Sequence, residues 1–227
     1  MAELNGQSFV HVLTLRVDPA WRRRSSAERE EEVRDFLTAV AETARTVTTH
    51  TYSLTGRRAD ADLMLWRLAG TLEDLEESAS LLLRSGLGRW LAVAHSLVGL
   101  LRPSTYVRGP SAQEEALVSG ERSRYLIVYP FVKSSEWYLT PREDRQQIMA
   151  EHIRVGRGYP MVRQVLAHSF GLDDQEFIVS YETDDLRAFQ ELVMALRETE
   201  SRRATVRDVP ILVGIRRPLA DAVRLLG

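Results

Sequence analysis

The chain has 227 residues, 44% of them hydrophobic, with a formal charge of −2 and a pI near 6.2. That is enough for a sizeable core, as one large domain or two of about 110 residues each, and the interspersed acidic and basic residues argue against a nucleic-acid surface. There is no cysteine, which excludes disulfides, iron–sulfur clusters, Cys-type zinc sites, thiolate nucleophiles and thiolate haem ligation.

The N-terminus lacks a signal pattern and no apolar run reaches membrane-spanning length, so a cytoplasmic protein is expected. Residues 8–17 alternate as a strand that ends at Asp18-Pro19. Ser25-Ser26-Ala27-Glu28 has capping-box spacing and opens a helix with Val33, Phe36, Leu37, Val40 and Ala44 on one side. Residues 46–55 and 61–69 read as strands around a turn at 56–60. Thr71 to Asp74 caps a second helix carrying Leu75, Ala79, Leu82 and Leu83. Residues 87–101 read as helical or irregular, Pro103 stops them, and 105–108 reads as a short strand. The polar, breaker-rich stretch 109–120 is the expected domain boundary, giving domains at 1–110 and 121–227.

The order then repeats. Residues 125–133 read as a strand and 140–155 as a helix capped by Thr140, with Pro141 at its first position and Glu143 completing the box. Strands follow at 161–169 and 176–181, separated by a turn at 171–174. Thr183-Asp184-Asp185 opens a helix with Leu186, Phe189, Leu192, Val193 and Leu196, and a last strand is expected at 209–213, at an edge because of Pro210. Trp21 and Trp137 lie 116 residues apart, and Asp62-Leu63-Met64-Leu65 and Glu176-Phe177-Ile178-Val179 lie 114 apart. A tandem of two ferredoxin-like β-α-β-β-α-β units accounts for this, an α+β chain whose two antiparallel sheets cover each other as a barrel-like core.

Along the helix of the second copy, Ile148, Met149, His152 and Val155 share one face. An imidazole in an apolar stripe is either a buried histidine bonded to a carbonyl or a metal or haem-iron ligand, and spacing leaves both open. The first copy has Phe36 where His152 stands. His11, His50, His95 and His168 read as structural.

Several segments resemble the chlorite dismutase superfamily, which includes the coproheme decarboxylases of haem biosynthesis. They are Tyr129-Pro130-Phe131-Val132-Lys133, Glu136-Trp137-Tyr138, Glu151-His152, Tyr159, His168 to Asp174, Tyr181 to Leu186 and Pro210 to Gly214. Leu54-Thr55-Gly56, Ala61 to Met64, Leu87-Gly88-Arg89 and Thr105-Tyr106-Val107 extend the likeness more weakly into the first half. The resemblance implies two ferredoxin-like units, the second binding haem or coproheme, and a ring-shaped homo-oligomer, a pentamer. It implies His152 as the proximal iron ligand and Trp137 beside the porphyrin. Gln164 stands where chlorite dismutases have a distal arginine and many coproheme decarboxylases a glutamine. Tyr129 and Lys133 match the decarboxylases' Tyr-Pro-x-x-Lys, and Arg197 matches a propionate-binding arginine. Glu200 or Ser201 falls near the acidic partner of the proximal histidine. The decarboxylases' glycine-rich Tyr-Gly-x-Phe-Gly near the C-terminus is absent, and Ala204-Thr205-Val206-Arg207-Asp208-Val209 stands there instead.

The implied activity is peroxide-dependent decarboxylation of coproheme to haem b. Tyr129, Lys133 and Gln164 are its catalytic residues, and Trp137, His152 and Arg197 join them in binding the porphyrin. The alternatives are chlorite dismutation and haem binding without turnover. Positions 129, 131 and 133 of a strand share a face, so Tyr129 and Lys133 can enter one pocket. A distal guanidinium can hold an anionic oxidant near iron, and a neutral amide cannot do so electrostatically.

Overall fold

The computed structural model describes residues 8–102 and 121–227. The strand expected at 105–108 and the boundary at 109–120 lie outside the described residues. The chain forms two compact units, Met1–Leu101 with Gly214–Gly227, and Arg102–Val213.

In the first unit, β1 (Phe9–Val17), β2 (Val47–Ser53), β3 (Leu63–Ala69) and β4 (Leu91–Leu101) form an antiparallel sheet in the order β2-β3-β1-β4. Helices α1 (Ser26–Glu42) and α2 (Leu72–Arg84) complete a β-α-β-β-α-β plan. The capping box forms as spelled by the sequence: Ser25 accepts from the Glu28 amide, and Glu28 accepts from the Ser25 amide. Glu32, buried on α1, is tolerated because the Trp21 and Trp90 indoles donate to its carboxylate at 2.8 and 3.1 Å and Arg24 donates at 3.1 Å. Leu13, Leu15, Leu63 and Leu65 face Phe36 and Leu82 in the core, each such side chain contributing roughly 1.5–3 kcal/mol.

Three expectations need correction here. Residues 91–101 are strand β4, not helix, entered through a 3-10 turn at Gly86–Trp90. The pairing jumps from Thr14↔His95 to Leu15↔Val93, so Ala94 is an extra residue, and this bulge breaks the two-residue period that marks a strand. The C-terminal segment belongs with the first unit rather than the second. Ala222, Val223 and Leu226, on and just after α6 (Leu219–Arg224), are buried in the core that holds Phe36. The strand expected at 209–213 is two strands, β8 (Thr205–Arg207) and β9 (Leu212–Arg216), with Pro210 between them. Ile215 and Arg216 pair with Ser53 and Tyr52.

In the second unit, β5 (Tyr125–Lys133), β6 (Arg163–His168), β7 (Phe177–Thr183) and β8 run in the order β6-β7-β5-β8. Counted within its own unit, each sheet reads 2-3-1-4, the duplication expected from the sequence. The helices are α3 (Ser135–Leu139), α4 (Arg142–Arg157) and α5 (Leu186–Arg197). Asp185 caps α5 by accepting from the Arg187 and Ala188 amides. The capping box expected at Thr140 does not form. Pro141 is the N-cap, and the Thr140 hydroxyl donates back to the Glu136 carbonyl at the end of α3.

Candidate functional site

Register places three rows of side chains on one face of the second sheet. Gln164 of β6 lies opposite Tyr181 of β7, which lies opposite Ile127 of β5. The next row is Leu166, Val179 and Tyr129, and the third is His168, Phe177 and Phe131. Residues directly opposite in antiparallel strands point to the same side, so Gln164, Tyr181, Tyr129 and Phe131 share a surface. The helices pack on that surface: Val155 of α4 and Phe189, Leu192 and Leu196 of α5 join Tyr129, Leu166 and Tyr181 in one cluster. The Tyr129 and Tyr181 rings are 6.2 Å apart, and their hydroxyls are hydrogen-bonded to each other. Burial pushes the Tyr181 phenol up to about 12 and the Tyr129 phenol well above its usual value. Both are therefore protonated at neutral pH.

His152 sits one turn before Val155 and is half-buried. Its Nδ1 lies 3.1 Å from the Ser201 hydroxyl, on a 3-10 turn at Glu200–Ala204. Thr199 Oγ1 stands 3.0 Å behind Ser201 Oγ and donates to the Leu196 carbonyl at 2.7 Å. Burial, and then the nearby Lys133 charge, push the imidazole down to about 4, so it is neutral at physiological pH. Nε2 makes no hydrogen bond among the described residues. Lys133 is buried, with Nζ donating to the Ser201 carbonyl at 2.7 Å and lying 4.7 Å from the Trp137 ring centre. Burial, with Arg202 adding to it, pushes this ammonium down to about 8. No cluster of three or more His, Cys, Asp or Glu exists among the described residues.

A family model described as chlorite dismutase matches residues 27–217. The chain belongs to the chlorite dismutase family. Coproheme decarboxylase of Mycolicibacterium smegmatis is 38% identical over 167 residues, covering 73% of this chain and 71% of that one. A mutant chlorite dismutase from Candidatus Nitrospira defluvii matches with a TM-score of 0.89 and 30% identity, covering 98% and 96% of the two chains. Another mutant of that enzyme, in complex with cyanide, gives 0.88 and 31%, covering 97% and 95%.

In this chlorite dismutase family chain, the residues singled out from the sequence fall into three groups. His152, Lys133 and Trp137 meet around Ser201. Tyr129 and Gln164 lie in neighbouring rows of the sheet face, both bordering Tyr181. Arg197 stands apart at the end of α5, half-exposed, its guanidinium 3.1 Å from Asp208, which Arg202 also contacts at 2.7 Å. The histidine's neighbour is Ser201 and not Glu200, whose carboxylate pairs with Arg203 at 3.2 Å. Lys133 is covered by β8 and the 3-10 turn.

Sequence reasoning missed Thr199, Tyr181 and Asp208. Tyr181 carried a signal, since it alternates with Phe177 and Val179 on the apolar face. Thr199 and Asp208 had none. Among the other histidines, His11 contacts Ser96 and Arg67 at 3.0 Å each, and His95 contacts Asp60 at 2.9 Å. His168 packs edge-on to Phe177.

Proposed function

We propose that this chain is a haem enzyme of coproheme decarboxylase type, taking coproheme and peroxide to haem b, with His152 as iron ligand and the second unit as the porphyrin-binding domain. The observation that carries this reading is the pairing of a neutral imidazole, held through Nδ1 on a half-open apolar helix, with a sheet face that presents tyrosines and an uncharged amide. Relatedness to a coproheme decarboxylase supports it.

The residues fit the group. His152 offers Nε2, Trp137 and Phe131 offer apolar surface, and Lys133, Arg197 and Arg202 offer cations for propionates. Bound there, the iron porphyrin supplies one-electron oxidising chemistry when it meets peroxide. Tyr129 is placed to act as a radical relay, giving up one electron and one proton, both of which end in the water formed from peroxide. It then recovers a hydrogen atom from the carbon β to a propionate carboxylate, and loss of CO₂ with transfer of one further electron to the peroxide-derived oxidant leaves a vinyl group. Each propionate lost consumes one peroxide and one proton and releases one CO₂ and two waters. Lys133 loses its proton more readily than an exposed lysine, so it can both neutralise a carboxylate and supply that proton. Gln164 is neutral and does not hold an anionic oxidant by charge, which disfavours chlorite dismutation. On the same reading the chain works in the cytoplasm as a ring-forming homo-oligomer, a pentamer.

The test is to add coproheme, titrate peroxide and follow the porphyrin mass. Stepwise loss of two CO₂ is expected, together with no sustained oxygen evolution from chlorite. Oxygen release without decarboxylation would assign the chain to the chlorite dismutase branch. Porphyrin binding that ignores both oxidants would make it a carrier.

A further inference from the structure

The hydroxyls beside His152 form a chain whose direction is set by proton counting. At its far end is the Leu196 carbonyl, at the C-terminal end of α5, which can only accept. Thr199 Oγ1 donates to it at 2.7 Å. A hydroxyl has one proton, so Thr199 has none left for Ser201. The 3.0 Å contact between Thr199 Oγ1 and Ser201 Oγ must then be made by the Ser201 proton. With that proton committed, Ser201 Oγ can meet His152 Nδ1, 3.1 Å away, only as an acceptor. Thr199 and Ser201 are buried, at 5% and 4% exposure, so bulk water is not at hand to supply another donor or acceptor. The turn is fixed from two further directions. Lys133 Nζ donates to the Ser201 carbonyl at 2.7 Å, and the Glu200 amide donates to the Glu151 carboxylate of α4 at 3.0 Å.

The geometry points to Thr199 and Ser201 as a proton-directing pair that holds His152 in its Nδ1–H tautomer and so leaves Nε2 as a bare lone pair. They are positioning residues and act through the imidazole. The use of Nε2 as a metal donor rests on the function proposed above, but the tautomer is a property of the chain alone. The arrangement means that no tautomer change has to accompany ligation, because Nε2 is already unprotonated.

The experiment records two-bond proton–nitrogen spectra of the ligand-free full chain with ¹⁵N-labelled histidine at neutral pH. The His152 signal is assigned by its absence in His152→Ala. The wild type should show a protonated Nδ1 and a pyridine-type Nε2. Thr199→Val removes the acceptor for the Ser201 proton, which then turns to Nδ1, so the tautomer should reverse. Thr199→Ser should restore the wild-type pattern. A protonated Nε2 in the wild type overturns the proposal, whatever the variants do. An unchanged tautomer in folded Thr199→Val also overturns it.

A second readout is haemin affinity, expected to weaken about tenfold in Thr199→Val, the equivalent of about 1.4 kcal/mol. If the tautomers behave as expected but His152→Ala takes up haemin like the wild type, the haem reading fails and the pair stands. If His152→Ala loses uptake and the tautomer is the other one, the pair fails and the haem reading stands.

Discussion

Lys133→Met tests whether a buried ammonium is kept for stability or for chemistry. The fall from 10.5 to about 8 is caused first by burial and then by Arg202. It corresponds to at most about 3 kcal/mol against the charged form. Opposing the relief of this cost, the methionine variant leaves the buried Ser201 carbonyl without the ammonium that donates to it at 2.7 Å, a loss of about 1–3 kcal/mol. The two sides nearly cancel. At pH 7.5 the methionine variant should therefore unfold within about 1 kcal/mol of the wild type.

The difference should then change with pH in a defined direction. The folded value lies below the unfolded one, so the unfolded chain binds more protons between about pH 8 and pH 10.5. The desolvation cost to the wild type is complete below pH 8 and gone above 10.5. Across that window the wild type gains on the variant by up to about 3 kcal/mol. Urea unfolding of both proteins at pH 7.5, 9 and 10.5 measures this. A gap that stays flat would mean that the ammonium is solvated and that the argument from burial is wrong. On the proposed function the variant also loses decarboxylation while staying folded.

His152→Ala should abolish the Soret band after reconstitution. The wild type should keep porphyrin uptake from pH 8 down to about 5 and lose it toward 4, because burial depresses the imidazole to about 4. The same depression makes the unfolded chain the better proton binder between the usual 6.5 and about 4. Wild-type stability should thus fall as pH drops through that window, and His152→Ala should lack this component of the fall. Tyr129→Phe removes the bond to Tyr181, costing about 1 kcal/mol. Porphyrin binding should survive and propionate loss should not, and full conversion by this variant would exclude the radical role. Haemin at a hundredfold excess over its dissociation constant should stabilise the chain by about 2.7 kcal/mol, a rise in melting temperature of several degrees. No shift in the wild type would count against a porphyrin site.

The parts of the fold that could be read from sequence were those set by local chemistry. Ser25 and Glu28 cap a helix with their own side chains, and Asp185 does the same for α5. Reading failed where a distant element decided the outcome. The bulge against Thr14 and Leu15 disrupts the pattern of β4, and nothing within residues 91–101 announces it. Thr140 has the right type and spacing for a cap, yet the end of α3 takes its hydroxyl first. The site divides in the same way. Strand period puts Tyr129 and Lys133 on one face, but the register shifts between Val132 and Lys133, and Lys133 joins His152 and Trp137 while Tyr129 joins Gln164. Ser201 and Thr199 stand beside His152 only because a turn after α5 folds back onto α4, a contact between positions 49 residues apart for Ser201 and His152.

The two copies hold their corresponding helices in different ways. In the first, α1 buries Phe36 and Ala39, and Phe36 has no exposed surface. That helix is held by its own apolar side chains against Leu13, Leu15, Leu63 and Leu65. In the second, α4 has no fully buried residue, and Ile148, Met149, His152 and Val155 are all half-buried. An apolar stripe left half-open forgoes roughly 1 kcal/mol or more per side chain of the burial that the first helix obtains. Beside the packing of Val155, α4 is held by polar contacts: Ser201 on His152 and the Glu200 amide on Glu151. Such contacts fix position without filling space, which is the property a helix needs if one of its faces is to receive a flat apolar ligand.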